Sequence, residues 1–193
     1  MRLTPIEKAP SLLGKLMTLA YESQLGRPIT PAQVVYNRVP AAWRISLAFL
    51  RYEMFGAKLS HELRLLATTH TAMLNGCAFC QDIKRAFAIR QKLGTQKFDA
   101  LAEWRTSDAF SPRERAALAF VEEATLNKKV SDATFAEARR HFDEREITEL
   151  TLSNAIENFY NLVNVPLEIE SDGLEQIALA RSAQVRRGRG DAR

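Results

Sequence analysis

The chain has 193 residues, 46% of them apolar and 26% charged, with 8 glycines and 7 prolines. This excludes collagen-like, low-complexity and largely disordered classes and sets one domain with a real core as the expectation. The net charge of +4 sits at one end: the last 13 residues hold Arg181, Arg186, Arg187, Arg189 and Arg193 against Asp191, which leaves 22 charges of each sign in residues 1–180. Signs are mixed through the body, so no basic face for nucleic acid is expected. The N-terminus lacks the basic start and apolar run of a signal peptide, and no stretch approaches the ~20 apolar residues of a spanning helix. The expectation is a cytoplasmic protein with neither nucleic acid nor membrane as partner.

Helical periodicity runs through almost the whole chain, and its breaks are marked. Leu12 to Gln24 makes the first helix, ended by Gly26 and Pro28. Past a proline-containing stretch that ends at Pro40, Ala41 to Phe55 sets Trp43, Leu47, Leu50 and Met54 at helical spacing, with Gly56 as the stop. Ser60 is the expected N-cap of a helix reaching about Leu74; Asn75-Gly76 breaks it, and another helix opens near Cys77 and runs to Leu93-Gly94. Phe98 to Arg105 makes a short helix. Ser111-Pro112-Arg113-Glu114 is a capping box with proline at the first helical position, starting a helix to Leu126, and Ser131 to Phe142 comes next. Asp143 with Glu146 repeats the box at the head of a long helix through Val163, closed before Pro166. A short helix is expected after Asp172. No segment alternates with period two, no repeat is visible and no linker divides the chain. The reading is an all-α, single-domain multi-helix bundle over residues 1–180, with 181–193 a basic, disordered tail.

The chemistry concentrates in Leu74-Asn75-Gly76-Cys77-Ala78-Phe79-Cys80-Gln81-Asp82-Ile83-Lys84. Cys77 and Cys80 are the only cysteines of the chain. Two thiols three apart at a helix start lie on one side, where exposed backbone N–H groups and the positive end of the dipole favour thiolate. A thiolate attacks a peroxide or a disulfide, and its neighbour then closes an internal disulfide. The same spacing serves zinc sites, but zinc needs two further ligands and none lies nearby in sequence. A reduced structural pair is the third reading. Neither a metal nor another cofactor is expected.

The stretch from Leu59-Ser60 through Asn75-Gly76-Cys77-Ala78-Phe79-Cys80 and into the next helix resembles the carboxymuconolactone decarboxylase / alkylhydroperoxidase D-like family. The Leu150 to Asn164 helix looks like that family's closing helix. The resemblance implies an all-helical fold, assembly into dimers, trimers or hexamers, and a Cys-x-x-Cys peroxidase centre re-reduced by a partner protein. It also implies Cys80 as nucleophile and Cys77 as resolving thiol. The chain departs from the family pattern at two positions: Lys84 stands where a His follows the second Cys by four, and Leu65 where a Glu precedes the first Cys by twelve. Glu62 lies one turn before Leu65.

Cys77, Cys80 and Lys84 follow an i, i+3, i+7 pattern on one helix face, so the Lys84 ammonium can favour thiolate. The alternative is a solvated lysine. His70, seven before Cys77, is a candidate base or hydrogen-bond partner, and otherwise a structural histidine. Asn154, Asn158 and Asn161 fall opposite a stripe of Leu152, Ala155, Phe159 and Leu162; they read as a polar substrate wall, a subunit contact, or a solvated face. Trp43, Trp104 and most of the phenylalanines read as core. The expected function is a thiol–disulfide oxidoreductase, in its fullest form a peroxidase, acting on a hydroperoxide or disulfide with a protein electron donor and forming homo-oligomers. Its catalytic candidates are Cys77, Cys80, Lys84 and His70. The rivals are a decarboxylase-like acid–base enzyme, which does not depend on a cysteine pair, and a non-catalytic oligomeric scaffold.

Overall fold

The structure, a computed structural model, describes residues 1–190, with side chains through Gln184. Its α-helices are α1 (Leu12–Leu25), α2 (Ala42–Arg51), α3 (His61–Leu74), α4 (Ala78–Arg90), α5 (Gln96–Asp99), α6 (Pro112–Asn127), α7 (Asp132–His141), α8 (Glu144–Asn164) and α9 (Leu174–Gly190). No strand occurs among the described residues, so the all-α bundle is as the periodicity requires. No described helix is long and apolar enough to cross a membrane.

Helix boundaries follow local chemistry. The Oγ of Ser60 accepts from the Leu63 amide and starts α3. Both expected capping boxes form in full, Ser111 with Glu114 at α6 and Asp143 with Glu146 at α8. Gly26, at φ 93°, ends α1 in the left-handed region that a side chain would resist. Two expected helices are divided. The Ala41–Phe55 segment is α2 followed by a π-helical turn over Tyr52–Gly56, which swings Met54 and Phe55 into solvent, so Met54 does not join the core with Trp43. The Phe98–Arg105 segment is the end of α5 plus a 3₁₀ turn at Leu101–Glu103. A further π-helical turn, Ala32–Tyr36, lies in the proline-containing stretch.

Helix α3 is the axis of the molecule. Leu63 through Ala72 is buried without interruption, the signature of a helix packed on all sides, and it lies against α4, α6 and α8. One core cluster joins α1, α4 and α9 around Trp43, Cys77, Cys80, Ile169 and Leu174. A second joins α3, α6, α7 and α8, and a third gathers Leu66, Phe98, Leu101, Trp104 and Leu118.

The helix after Asp172 is longer than expected, and its start is capped from elsewhere. Asp82, buried on α4, accepts from the Leu174 and Glu175 amides at 2.9 and 2.8 Å and from the Ser171 hydroxyl at 2.9 Å. A carboxylate thus answers the orphan N–H groups of α9 from a different helix. The backbone is helical to Gly190, into the segment read as a disordered tail; residues 191–193 lie outside those described.

Helix α8 reverses an expectation. Its amide face is buried, with Asn154 6% and Asn161 0% exposed, while Leu152 and Leu162 on the other side are 44% and 69% exposed. The reason lies in what α8 packs against. Asn154 donates to Thr71 and Thr125 at 2.9 and 2.8 Å, and Asn75 donates to Asn158 and Asn161 at 2.9 and 2.8 Å. Each buried amide therefore finds a polar partner on α3, α6 or the turn after α3.

Candidate active site

The turn between α3 and α4 places the two sulfurs. Gly76 takes φ 67°, and the chain re-enters helix at Cys77, whose own side chain is the N-cap of α4: its Sγ accepts from the Cys80 amide at 3.3 Å. Cys77 and Cys80 stand at disulfide distance, their Cα atoms 5.3 Å apart, inside the range a disulfide needs. They are 1% and 2% exposed. The N-cap position gives Cys77 one of the orphan amides of the first turn and the positive end of the α4 dipole, while Cys80 receives the side-chain amide of Asn164 at 3.4 Å.

Lys84 is not solvated. One turn beyond Cys80 on the same face, its side chain is 13% exposed and its Nζ lies 3.1 Å from the Oε2 of Glu157, a carboxylate 1% exposed. Glu157 also accepts from Asn161 at 2.7 Å. Burial raises the Glu157 carboxyl above its ordinary value even against the Lys84 charge and the Asn161 bond. Burial pulls the Lys84 ammonium down, but Glu157 and Glu53 outweigh it and hold the group above its ordinary value. Two helix faces therefore meet in antiparallel order: Cys80 and Lys84 on α4 against Asn164 and Glu157 on α8.

A small pocket opens onto Lys84 from outside, lined among others by Glu53, Arg64, Leu65, Thr68 and Ser153. Leu65 and Lys84, the two departures from the family pattern, share this pocket. The Oγ of Ser153 is buried without a partner. The other candidate lies apart. His70 points its Nε2 to Glu122 at 2.9 Å and sets its ring edge-on to Trp104; it makes no hydrogen bond to either sulfur among the described residues. Burial lowers the His70 imidazole, opposed by Glu122. Glu122 itself is held down at about 2: burial pushes it up, but Arg105, His70 and Trp104 all bond its carboxylate. No group of three or more His, Cys, Asp or Glu able to hold a metal ion occurs among the described residues.

Sequence reasoning missed Glu157 and Asn164. The available signal was that Glu157, Asn161 and Asn164 repeat at i, i+4, i+7, a single carboxylate within a stripe of amides. Once that stripe faces inward, its carboxylate needs a cation, and of the cations on α4 it is Lys84 that meets it.

An all-helical bundle with a cysteine pair at the head of an inner helix defines a class of dithiol protein. Residues 39–123 match the carboxymuconolactone decarboxylase family, and that stretch holds the dithiol whose motif carries the resemblance. The uncharacterised protein YnjA of Escherichia coli is 29% identical over 184 residues, covering 94% of this chain and 100% of that protein. YdfG of Bacillus subtilis, also uncharacterised, is 28% identical over 134 residues, covering 68% of this chain and 90% of its own. Among solved structures, an Agrobacterium tumefaciens protein of unknown function, suggested to be the antioxidant defence protein AhpD, superposes with a TM-score of 0.67 at 26% identity, covering 70% of this chain and 94% of that one. The debrominase Bmp8, crystallised with 2,3,4-tribromopyrrole, shares the fold with a TM-score of 0.77 at 20% identity, covering 94% of this chain and 97% of its own.

Proposed function

We propose that this protein is a thiol–disulfide oxidoreductase whose Cys77–Cys80 dithiol reduces a hydroperoxide or a disulfide and is restored by a protein dithiol donor. The observation that carries the reading is the placement of both sulfurs at disulfide distance on the first turn of α4, in a segment of the matching family. With a hydroperoxide the balance is two-electron. A thiolate attacks the outer peroxide oxygen, the O–O bond breaks, and the alkoxide takes a proton to leave as alcohol. The resulting sulfenic acid is attacked by the second thiol, the S–S bond forms, and water leaves. Cys80 is the attacking thiol in this reading, with the Asn164 amide and the Lys84 ammonium on its side, and Cys77 resolves.

The test is oxidation of the reduced protein with a small excess of hydrogen peroxide or an alkyl hydroperoxide, followed by peptide mapping and a return to dithiol with a protein donor such as a thioredoxin-like protein. A single internal disulfide, formed and reversed with consumption of one peroxide, is the expected result. Two thiols still free after oxidant, or a disulfide that forms without peroxide consumption, would overturn the reading and leave the scaffold alternative.

A further inference from the structure

We propose that Glu157 is a positioning residue for the dithiol chemistry, taking up and returning the thiol proton through Lys84, so that α8 supplies what position 65 on α3 does not. The proposal rests on the dithiol reading above. Three contacts and one helical spacing converge on it. Asn164 donates to Cys80, Lys84 follows Cys80 by one turn, Lys84 meets Glu157 at 3.1 Å, and Asn161 holds the other carboxylate oxygen at 2.7 Å. The Oε2 of Glu157 makes no hydrogen bond among the described residues and has the Lys84 ammonium at ion-pair distance, so its lone pairs stand open beside the lysine.

The proton steps balance. The Cys80 thiol passes its proton to the Lys84 amine as the ammonium releases one to the Glu157 Oε2. The ion pair becomes a thiolate beside an ammonium, with a neutral carboxylic acid behind it. No net charge is created in the buried site, since the negative charge moves from oxygen to sulfur while the lysine keeps its own. When the O–O bond breaks, the proton returns by the same route to the departing alkoxide. A buried carboxyl that takes a proton readily suits this role. Leu65 in the pocket wall adds no charge of its own. The other titratable groups facing the pair are Glu53 on the π-helical turn after α2, Arg64 and His61 on α3, and Tyr21 on α1.

Glu157→Gln separates the relay from a structural role, because it moves two readouts in opposite directions. The amide keeps the Asn161 bond but takes no proton and does not offset the ammonium. The pH midpoint of thiol alkylation should fall by about one unit, as the thiolate no longer shares Lys84 with the Glu157 carboxylate, while peroxide turnover falls on the order of a hundredfold for want of a proton donor. Lys84→Met/Glu157→Gln, with both charges gone, guards against misfolding of the single variant; its alkylation midpoint should rise above wild type and its turnover stay low. An alkylation profile of folded Glu157→Gln, or of the folded double variant, that superimposes on wild type overturns the proposal. The profile needs no turnover to be read. A wild-type protein that consumes no oxidant refutes the dithiol reading, and alkylation still decides whether Glu157 governs the thiol.

Discussion

Lys84→Met gives the sharpest test of the electrostatics, because it removes the cation paired with the buried Glu157 carboxylate. Methionine fills a similar volume with no charge, so the change leaves Glu157, 1% exposed, with the Asn161 amide alone. Breaking a buried ion pair from one side costs about 3–5 kcal/mol, since the surviving charge stays desolvated. For a chain of this length each kcal/mol is worth roughly 2–4 °C, so the melting temperature should fall by about 6–20 °C at neutral pH. The loss should depend on pH with a definite sign. The folded-state pKa of Glu157 already lies above the ordinary 4.5, and losing Lys84, which lowers it, drives it further up. Stability of the variant is therefore greatest below that ordinary value, where Glu157 is protonated in both states, and is lost as pH rises through the elevated folded value. Urea or thermal melts of the reduced protein at pH 5 and pH 8 measure the effect, and Lys84→Met/Glu157→Gln should recover most of it. A single variant within about 1 kcal/mol of wild type at pH 8, or a loss that does not change with pH, would refute the buried-pair argument.

Other consequences are equally direct. Asn154→Leu removes the amide that Thr71 and Thr125 accept from and should cost about 1–3 kcal/mol by denaturant melts; a neutral result would mean that the two hydroxyls re-pair without it. The imidazole of His70 is lowered by burial from its ordinary 6.5, so it contributes stability above that value that is lost as pH falls through its folded pKa; His70→Phe should flatten the acid limb of a stability profile between pH 7 and pH 4. The exposed Leu152, Leu162, Ile45 and Phe55 lie on the outer sides of α8 and α2 and the turn that follows, which meet where Phe49 packs edge-on against Phe159 at 5.4 Å. We expect this apolar surface to hold copies of the chain together: Leu162→Lys should shift light-scattering mass toward a single chain, and a wild type already monomeric at micromolar concentration would count against it.

Helix ends were legible because their signals are local. Ser111 with Glu114 and Asp143 with Glu146 each close a ring with backbone groups three residues away, and nothing distant alters that. The cysteine pair was legible for the same reason, as its spacing, its helix start and the Asn-Gly break all fall within a few residues. The α8 faces were not, because periodicity separates two faces without saying which one meets the core. Ordinarily the apolar face does, but Thr71, Thr125 and Asn75 make the interior polar at this point, and the amides follow them in. The Lys84 environment was hidden for a related reason: its partner Glu157 lies 73 positions further along the chain, and only tertiary packing brings the two together. The division of the Ala41–Phe55 helix into α-helix and π-turn had no marker in the sequence before Gly56.

The carboxylate of Asp82 sits between Cys80 and Lys84 in sequence, yet its bonds go to the first amides of α9. The C-terminal helix is therefore hung from the same two turns that carry the thiols, and it brings Leu174 and Ala178 to the core cluster that encloses both sulfurs. Deleting α9 would do more than shorten the protein. It would strip the wall behind the cysteines and leave the Asp82 charge without the amides that now share it, so an alteration made at the far end of the chain would be read out as a change in the reactivity of its thiols.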